Sequence, residues 1–316
     1  MRGFITDPTG RAGLRLSVDL PEPTPKPNEA LVEVRAYAVN NDETTLIARR
    51  PDGWRPGQDA AGVVVRAAAD GSGPAPGARV ACYLDQEGWA ERVAVPTHCV
   101  AELDDAVSFE QAAALPIAGL TALRALRVGG AVLGRQVLVT GATGGVGQFA
   151  VQLAVAAGAT VTALVSGPER IEDARALGAH RVVTSLDDAT LGPFHLVLEG
   201  VGGDVLAAAV RHVVPGGYVA WYGNPGRRTT EISIADFYAQ GWNAHIVGFI
   251  SPHPEQTKGE DLAILAALVA DGRLTTPRIG LVLDWERTPE VFEQMAARAF
   301  RGKAVLTLAS KPTSVR

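Results

Sequence analysis

The sequence predicts an α/β protein of two parts, a barrel-like β domain and a doubly wound parallel sheet. Three observations carry that prediction. Residues 1–113 read as short strands broken by Pro and Gly turn signals. Gln136 to Val165 reads strand, glycine-rich turn, helix, strand. Beyond it strands and helices alternate, the pattern of a parallel sheet with helical crossovers. A chain of 316 residues is long for a single core, so two domains are the natural division.

In chain order, Leu14 to Leu20 leads into Pro21, Pro23, Pro25 and Pro27, a rigid connector. Ala30–Val39, Ala61–Ala69, Arg79–Tyr83 and Trp89–Val95 are β-rich runs separated by turns such as Gly71-Ser72-Gly73-Pro74. Ser108 followed by Gln111 is a capping-box pattern opening a helix that Pro116 ends. Leu120–Leu126 forms a further helix. Strands follow at Arg181–Val183, His195–Leu198, Tyr218–Tyr222 and His245–Ile250, with helices at Val205–Val213 and Asp261–Ala270. Leu281–Leu308 holds a strand, a helix from Pro289 to Arg298 and the strand Ala304–Leu308, and this tail is expected to return to the first domain. The expected domains are 1–117 with 273–316, and 118–272.

Hydrophobic content of 47%, 20% charged residues, net charge −5 and a pI near 5.7 describe an ordinary globular enzyme. They give no basic footprint for nucleic acid or an anionic membrane surface. No apolar run is long enough to span a bilayer, and the first residues lack a signal-peptide core. Two cysteines, Cys82 and Cys99, are too few for a disulfide framework, so a reducing cytoplasmic setting is expected.

The glycine stretch carries chemistry. A helix N-terminus offers unpaired N–H groups and the positive end of the helix dipole, and an anion reaches them only where the backbone comes close. Ala142-Thr143-Gly144-Gly145-Val146-Gly147 supplies that approach between a buried strand and a helix, which points to the pyrophosphate of a dinucleotide. The second strand ends in Val165-Ser166-Gly167-Pro168 without a carboxylate for a ribose 2′-OH. Ser166 and Arg170 instead offer donors and positive charge for a 2′-phosphate, so NADPH is the expected cofactor. Tyr222-Gly223-Asn224 ends a sheet strand, where open α/β sheets bind ligands. Tyr83, Tyr222 and His245 are the candidate proton donors.

Several motifs occur in a fixed order: Ala38-Val39-Asn40, Pro56 to Val64, Pro116 to Ala122, the glycine stretch, Leu177-Gly178-Ala179, Val201-Gly202-Gly203 and Gly302-Lys303-Ala304-Val305-Leu306. Together, from about residue 28 to 308, the chain resembles the medium-chain dehydrogenase/reductase superfamily, in its zinc-free quinone oxidoreductase and enoyl reductase branch. The resemblance implies a GroES-like β-barrel domain plus a Rossmann domain, with the active site in the cleft between them. It places Asn40, Gly248, Phe249 and Ile250 near the nicotinamide, Thr121 where the helix entering the Rossmann domain faces the cleft, Val201 among the cofactor-binding residues, Ser185 near the adenosine end, and Arg298 near the cofactor phosphates. It sets Glu43 where relatives carry an Asp and Thr45 where they often carry a Tyr.

Zinc members of the superfamily would show a Cys near position 40, Gly-His-Glu near 57–59 and a four-Cys lobe after 83. Here stand Asn40, Gly57-Gln58-Asp59 and the short link Tyr83–Trp89. Adjacent His98 and Cys99 on a strand would point to opposite faces, so no metal is expected. The resulting expectation is an NADPH-dependent reductase acting on a quinone or on the C=C bond of an α,β-unsaturated carbonyl, with a homodimer extended through the strand at 245–250. Two alternatives stay open: a carbonyl or biosynthetic tailoring reductase (including reductive cyclisation), and a non-catalytic NADPH-binding protein.

Overall fold

The computed structural model describes residues 1–188, 190–239, 242–248 and 258–309. The chain divides into two compact units, Met1–Ile117 with Pro254–Arg316, and Ala118–His253.

The first unit is built on a seven-stranded sheet in the order β14-β15-β3-β4-β5-β7, with β6 also paired to β3. Its strands are β3 (Glu29–Val39), β4 (Asp59–Arg66), β5 (Arg79–Tyr83), β6 (Arg92–Pro96), β7 (Val100–Glu102), β14 (Ile279–Asp284) and β15 (Lys303–Thr307). A hairpin of β1 (Gly3–Thr6) and β2 (Leu14–Ser17) stands beside it. Small residues on β3, β4 and β5 (Ala36, Ala38, Ala61 and Ala81) let helix α2 (Phe109–Ala113) lie close on the sheet through Ala112 and Ala113. Ser108 caps that helix with the capping box the sequence predicts. Trp89 is fully buried and stacks on Tyr37 at 5.6 Å, so it belongs to the core and not to a substrate pocket.

The tail does return: β15 pairs antiparallel to β3 and parallel to β14, with helix α9 (Thr288–Ala296) between them. Helix α8 (Lys258–Ala270), placed with the second domain from sequence, belongs to the first unit. Gly259 lies against the carbonyls of His98 and Val100, a contact too close for any side chain. Helix α1 (Glu43–Arg49) follows β3, and Glu43, buried inside the unit, anchors its first turn.

The second unit is a six-stranded sheet in the order β10-β9-β8-β11-β12-β13, parallel throughout. Its strands are β8 (Gln136–Thr140), β9 (Thr160–Leu164), β10 (Arg181–Val183), β11 (Phe194–Glu199), β12 (Val213–Trp221) and β13 (His245–Gly248). Helices α3 (Pro116–Val128), α4 (Gly145–Ala156), α5 (Ile171–Ala176), α6 (Gly203–Val210) and α7 (Ile234–Ala239) accompany it. Apolar runs such as Val137–Val139 and Leu196–Leu198 are buried because helices cover both faces of a parallel sheet. The order reverses between β8 and β11, and at such a switch point the carboxyl ends of the strands open a ligand crevice. β13 forms the sheet's outer edge. No helix among the described residues is long and apolar enough to cross a membrane.

Candidate active site

In the second unit the loop after β8 delivers Ala142, Thr143 and Gly144 to the start of α4, with Gly144 as an extended N-cap that has no side chain to cap the helix. The first N–H groups of α4, at Gly145, Val146 and Gly147, lack intrahelical partners and remain available to an anion. A Cβ at Gly147 would stand 2.2 Å from the Gly141 carbonyl oxygen, so only glycine lets the helix seat against the loop. This cradle fits a dinucleotide pyrophosphate.

Arg170 leans over the cradle. Its Nη1 donates to Thr143 Oγ1 at 3.2 Å, while its buried Nε has no hydrogen-bond partner among the described residues. Glu169 Oε1 is 3.6 Å from that Nε, beyond hydrogen-bonding distance. A buried guanidinium N–H without an acceptor is costly, and a phosphate oxygen is the acceptor that suits it. The sequence reading set no carboxylate at the end of β9. The structure corrects this, because a short 3-10 turn (Pro168–Arg170) folds the Glu169 carboxylate back over Gly167.

Beneath the cradle lies Glu199, a fully buried carboxylate that sequence reasoning missed. It accepts from Thr140 Oγ1 (3.0 Å), Val201 N–H (2.9 Å) and Gly202 N–H (3.0 Å). Those bonds tie the loop after β11 to the end of β8. Burial raises the Glu199 carboxyl above its ordinary range, while the Val201 and Gly202 N–H groups pull it down.

The other expected residues separate. Val201 sits in this tied loop, and Tyr222 lays its ring over Gly200. Gly223 accepts from Trp221 Nε1 through its carbonyl at 2.7 Å. Asn224 and Ser185 turn inward to their own loops, bonding Arg228 and Asp187. Ser166 is exposed after β9 and Thr121 is buried on α3. Gly248 ends β13, and Phe249 and Ile250 lie outside the described residues. Arg298 belongs to the first unit, where in the left-handed conformation (φ 52°) it closes α9. His245 is corrected as a proton donor: it begins β13 and stacks on Tyr218 at 4.7 Å, at the opposite end of the strand from the ligand edge.

In the first unit Asn40, Asp59 and Lys303 form a closed, buried set. Asn40 Nδ2 donates to Asp59 Oδ2 at 2.9 Å, and Lys303 Nζ donates to Asn40 Oδ1 at 2.7 Å and to Asp59 Oδ2 at 3.0 Å. Asp59 Oδ1 accepts the Ile117 N–H at 2.8 Å. Glu43 accepts the N–H groups of Asn40 (2.7 Å) and Gln58 (3.1 Å), fixing the backbone on either side. Burial pushes the Glu43 carboxyl well above its ordinary range; Asp42 adds to the rise and the Asn40 N–H opposes it. Lys303 was named only within a motif. The signal that could have singled it out is a lone charge heading the buried run Ala304–Leu306.

An amide and a carboxylate already engaged by an ammonium are a poor donor set for zinc. Among the described residues no three His, Cys, Asp or Glu side chains converge. His98 and Cys99 lie in a 3-10 turn and not on a strand.

Tyr83 ends β5, donates to Asp85 Oδ1 at 3.2 Å and carries the Lys258 ammonium 3.8 Å over its ring. Burial raises the Tyr83 and Tyr222 phenols well above 10.0, and Asp85 and Glu199 respectively push the same way. Burial does the same to Tyr37. Phenols held this high are weak acids near neutral pH. A raised folded pKa gives stability that is full below the unfolded value and is lost as pH rises above it. In an absorbance titration all three should therefore stay un-ionised at about pH 11 while the chain is folded. A step near pH 10 that disappears in Tyr83→Phe or Tyr222→Phe would contradict this.

The comparisons with known proteins agree with this architecture. The model for the alcohol dehydrogenase GroES-like domain matches residues 26–162, and that for zinc-binding dehydrogenase matches 145–267. The polyketide synthase GfsB of Streptomyces halstedii is 33% identical over 284 residues, covering 88% of this chain and 5% of the synthase. The chain spans only 5% to 13% of the length of three such synthases. A quinone oxidoreductase of Pongo abelii is 31% identical over 314 residues, covering 93% of this chain and 94% of the relative. A mycobacterial protein solved in complex with NADPH superposes with a TM-score of 0.85 at 25% identity, covering 98% of this chain and all of that one (100%). The chain therefore belongs to the medium-chain dehydrogenase/reductase superfamily, in its quinone oxidoreductase branch, with a GroES-like and a Rossmann-like part.

Proposed function

We propose that the chain is an NADPH-dependent, zinc-independent reductase acting on a quinone or on a C=C bond conjugated to a carbonyl. The observation that carries this reading is Arg170, bonded to Thr143 over the cradle, with a buried Nε that has no hydrogen-bond partner among the described residues and could donate to a phosphate. Bound NADPH supplies the hydride. The second unit holds it through the N–H groups at Gly145–Gly147 for the pyrophosphate and through Arg170 and Ser166 for the 2′-phosphate. Asn40, an amide fixed at both ends, is a hydrogen-bond donor of the kind a developing oxyanion calls for. A conjugated carbonyl is electrophilic without a Lewis acid, so a hydrogen-bond donor suffices to stabilise the developing charge.

Arg170→Ala should weaken NADPH binding roughly 30-fold, from a charged hydrogen bond worth about 2 kcal/mol, and NADH binding by less than about threefold. Titration of cofactor fluorescence measures both. Equal losses would reverse the assignment and give Glu169 the ribose, as in an NAD-dependent enzyme. Steady-state NADPH oxidation with a panel of quinones and enones tests the reaction, and a saturated ketone, not an alcohol, is the expected enone product. NADPH binding without turnover of any acceptor would favour a non-catalytic role.

A further inference from the structure

We propose that Lys303 is a positioning residue that acts through Asn40. It fixes the amide with its N–H as the outward donor and polarises that donor for the oxygen on which charge develops during reduction. The inference rests on the reaction proposed above.

An asparagine amide has an accepting end and a donating end of nearly the same shape, and only its surroundings decide which faces the reactant. Here the surroundings decide completely. An ammonium can only donate, so Lys303 Nζ, 2.7 Å away, requires the carbonyl oxygen at its side. Asp59 Oδ2 takes one Nδ2–H at 2.9 Å. The second Nδ2–H has no acceptor among the described residues. Asn40 keeps 8% of its surface open, whereas Asp59 keeps none and Lys303 keeps 4%. The backbone is held as well, since Asn40 N–H donates to Glu43 at 2.7 Å.

The charges complete the argument. Lys303 and Asp59 form a buried ion pair at 3.0 Å, so the ammonium offsets the carboxylate charge that lies beside the amide. A cation hydrogen-bonded to an amide carbonyl draws electron density from the nitrogen, and at low dielectric such polarisation passes along the chain of bonds. In the proposed reaction, hydride adds to the β-carbon and the C=C electron pair moves so that negative charge settles on the carbonyl oxygen. A proton from water at the α-carbon then completes the saturated product. The amide N–H serves the oxygen in the interval. Without Lys303 the amide carbonyl loses its donor and its polarising charge, and Asp59 Oδ2 is left as the one side-chain partner of the amide among the described residues.

The test is a double-mutant cycle of Asn40→Ala and Lys303→Met, read by kcat with the best acceptor, together with NADPH affinity, thermal melting and the Asn40 side-chain amide signal by NMR. Each single variant should lower kcat about 100-fold, and the double variant should be within about threefold of the worse single, because both remove one donor. NADPH affinity should stay within about twofold, and Lys303→Arg should recover most of kcat. The Asn40 amide signal, assigned by its loss in Asn40→Ala, should shift or broaden in Lys303→Met. If Lys303→Met does not fold, Lys303→Met with Asp59→Asn removes both charges and takes its place. Losses that multiply, or an amide signal unmoved by loss of Lys303, would overturn the proposal. Absence of turnover in the unaltered protein would sink the reaction instead, and the amide signal would still decide whether Lys303 orients Asn40.

Discussion

Asp59→Ala is expected to lower the melting temperature by on the order of 10 °C, the signature of a buried cation left without its counter-charge. Asp59 is fully buried and Lys303 nearly so. Removing the carboxylate strands the ammonium with one neutral acceptor, Asn40 Oδ1, and frees the Ile117 N–H as well. Breaking one side of a buried pair costs about 3–5 kcal/mol, and each kcal/mol moves the melting point of a domain this size by roughly 2–4 °C. Removing the partner too should help: Asp59→Ala with Lys303→Met is expected to melt above Asp59→Ala alone, since no charge is then left in the interior. Scanning calorimetry on the three variants measures this. A double variant that melts below the single one would show that the set is held by packing and not by charge.

Gly147→Ala is expected to abolish measurable NADPH binding, a loss of 100-fold or more on the order of a few kcal/mol, while also destabilising the second unit by about 1–3 kcal/mol. The added methyl would meet the Gly141 carbonyl oxygen at 2.2 Å and the Ala142 Cα at 2.8 Å. Both are backbone atoms with β8 behind them, so α4 must withdraw and carry its N–H groups off the anion's position. Gly144→Ala supplies the contrast. Its Cβ would meet only the Gly141 carbonyl oxygen, at 3.1 Å, and the residue is exposed. That change should obstruct the anion with little effect on melting. Calorimetric titration and thermal melts of the two variants separate the effects; normal NADPH affinity in Gly147→Ala would refute the close-approach argument.

The sequence revealed what local rules determine. The β8–α4–β9 unit is legible because its apolar runs, glycines and helix formers lie within thirty residues, and Ser108 with Gln111 encodes its own cap. Register is not local. His245 was a reasonable proton donor until pairing set it opposite Tyr218, at the wrong end of β13. No carboxylate was read at the end of β9, yet a single 3-10 turn folds Glu169 back over Gly167, and no periodic signal marks such a turn. The Asn40–Asp59–Lys303 set was least legible of all. Asn40 and Lys303 are 263 residues apart, and only the antiparallel pairing of β15 with β3 brings them together.

That long separation has a consequence for how the chain matures on the ribosome. The second unit, Ala118–His253, is contiguous and can settle as soon as it has emerged. The first unit waits. Asp59 has no cation and β3 has an open edge until residues 303–307 are synthesised, so until then the first unit is a sticky half-product with a charge in its middle. Loss of β15 would therefore be worse than loss of one strand, since it withdraws the ammonium that makes the barrel's interior electrically acceptable. A nascent chain stalled before residue 303 should consequently engage holding chaperones through its first unit while its second is already folded.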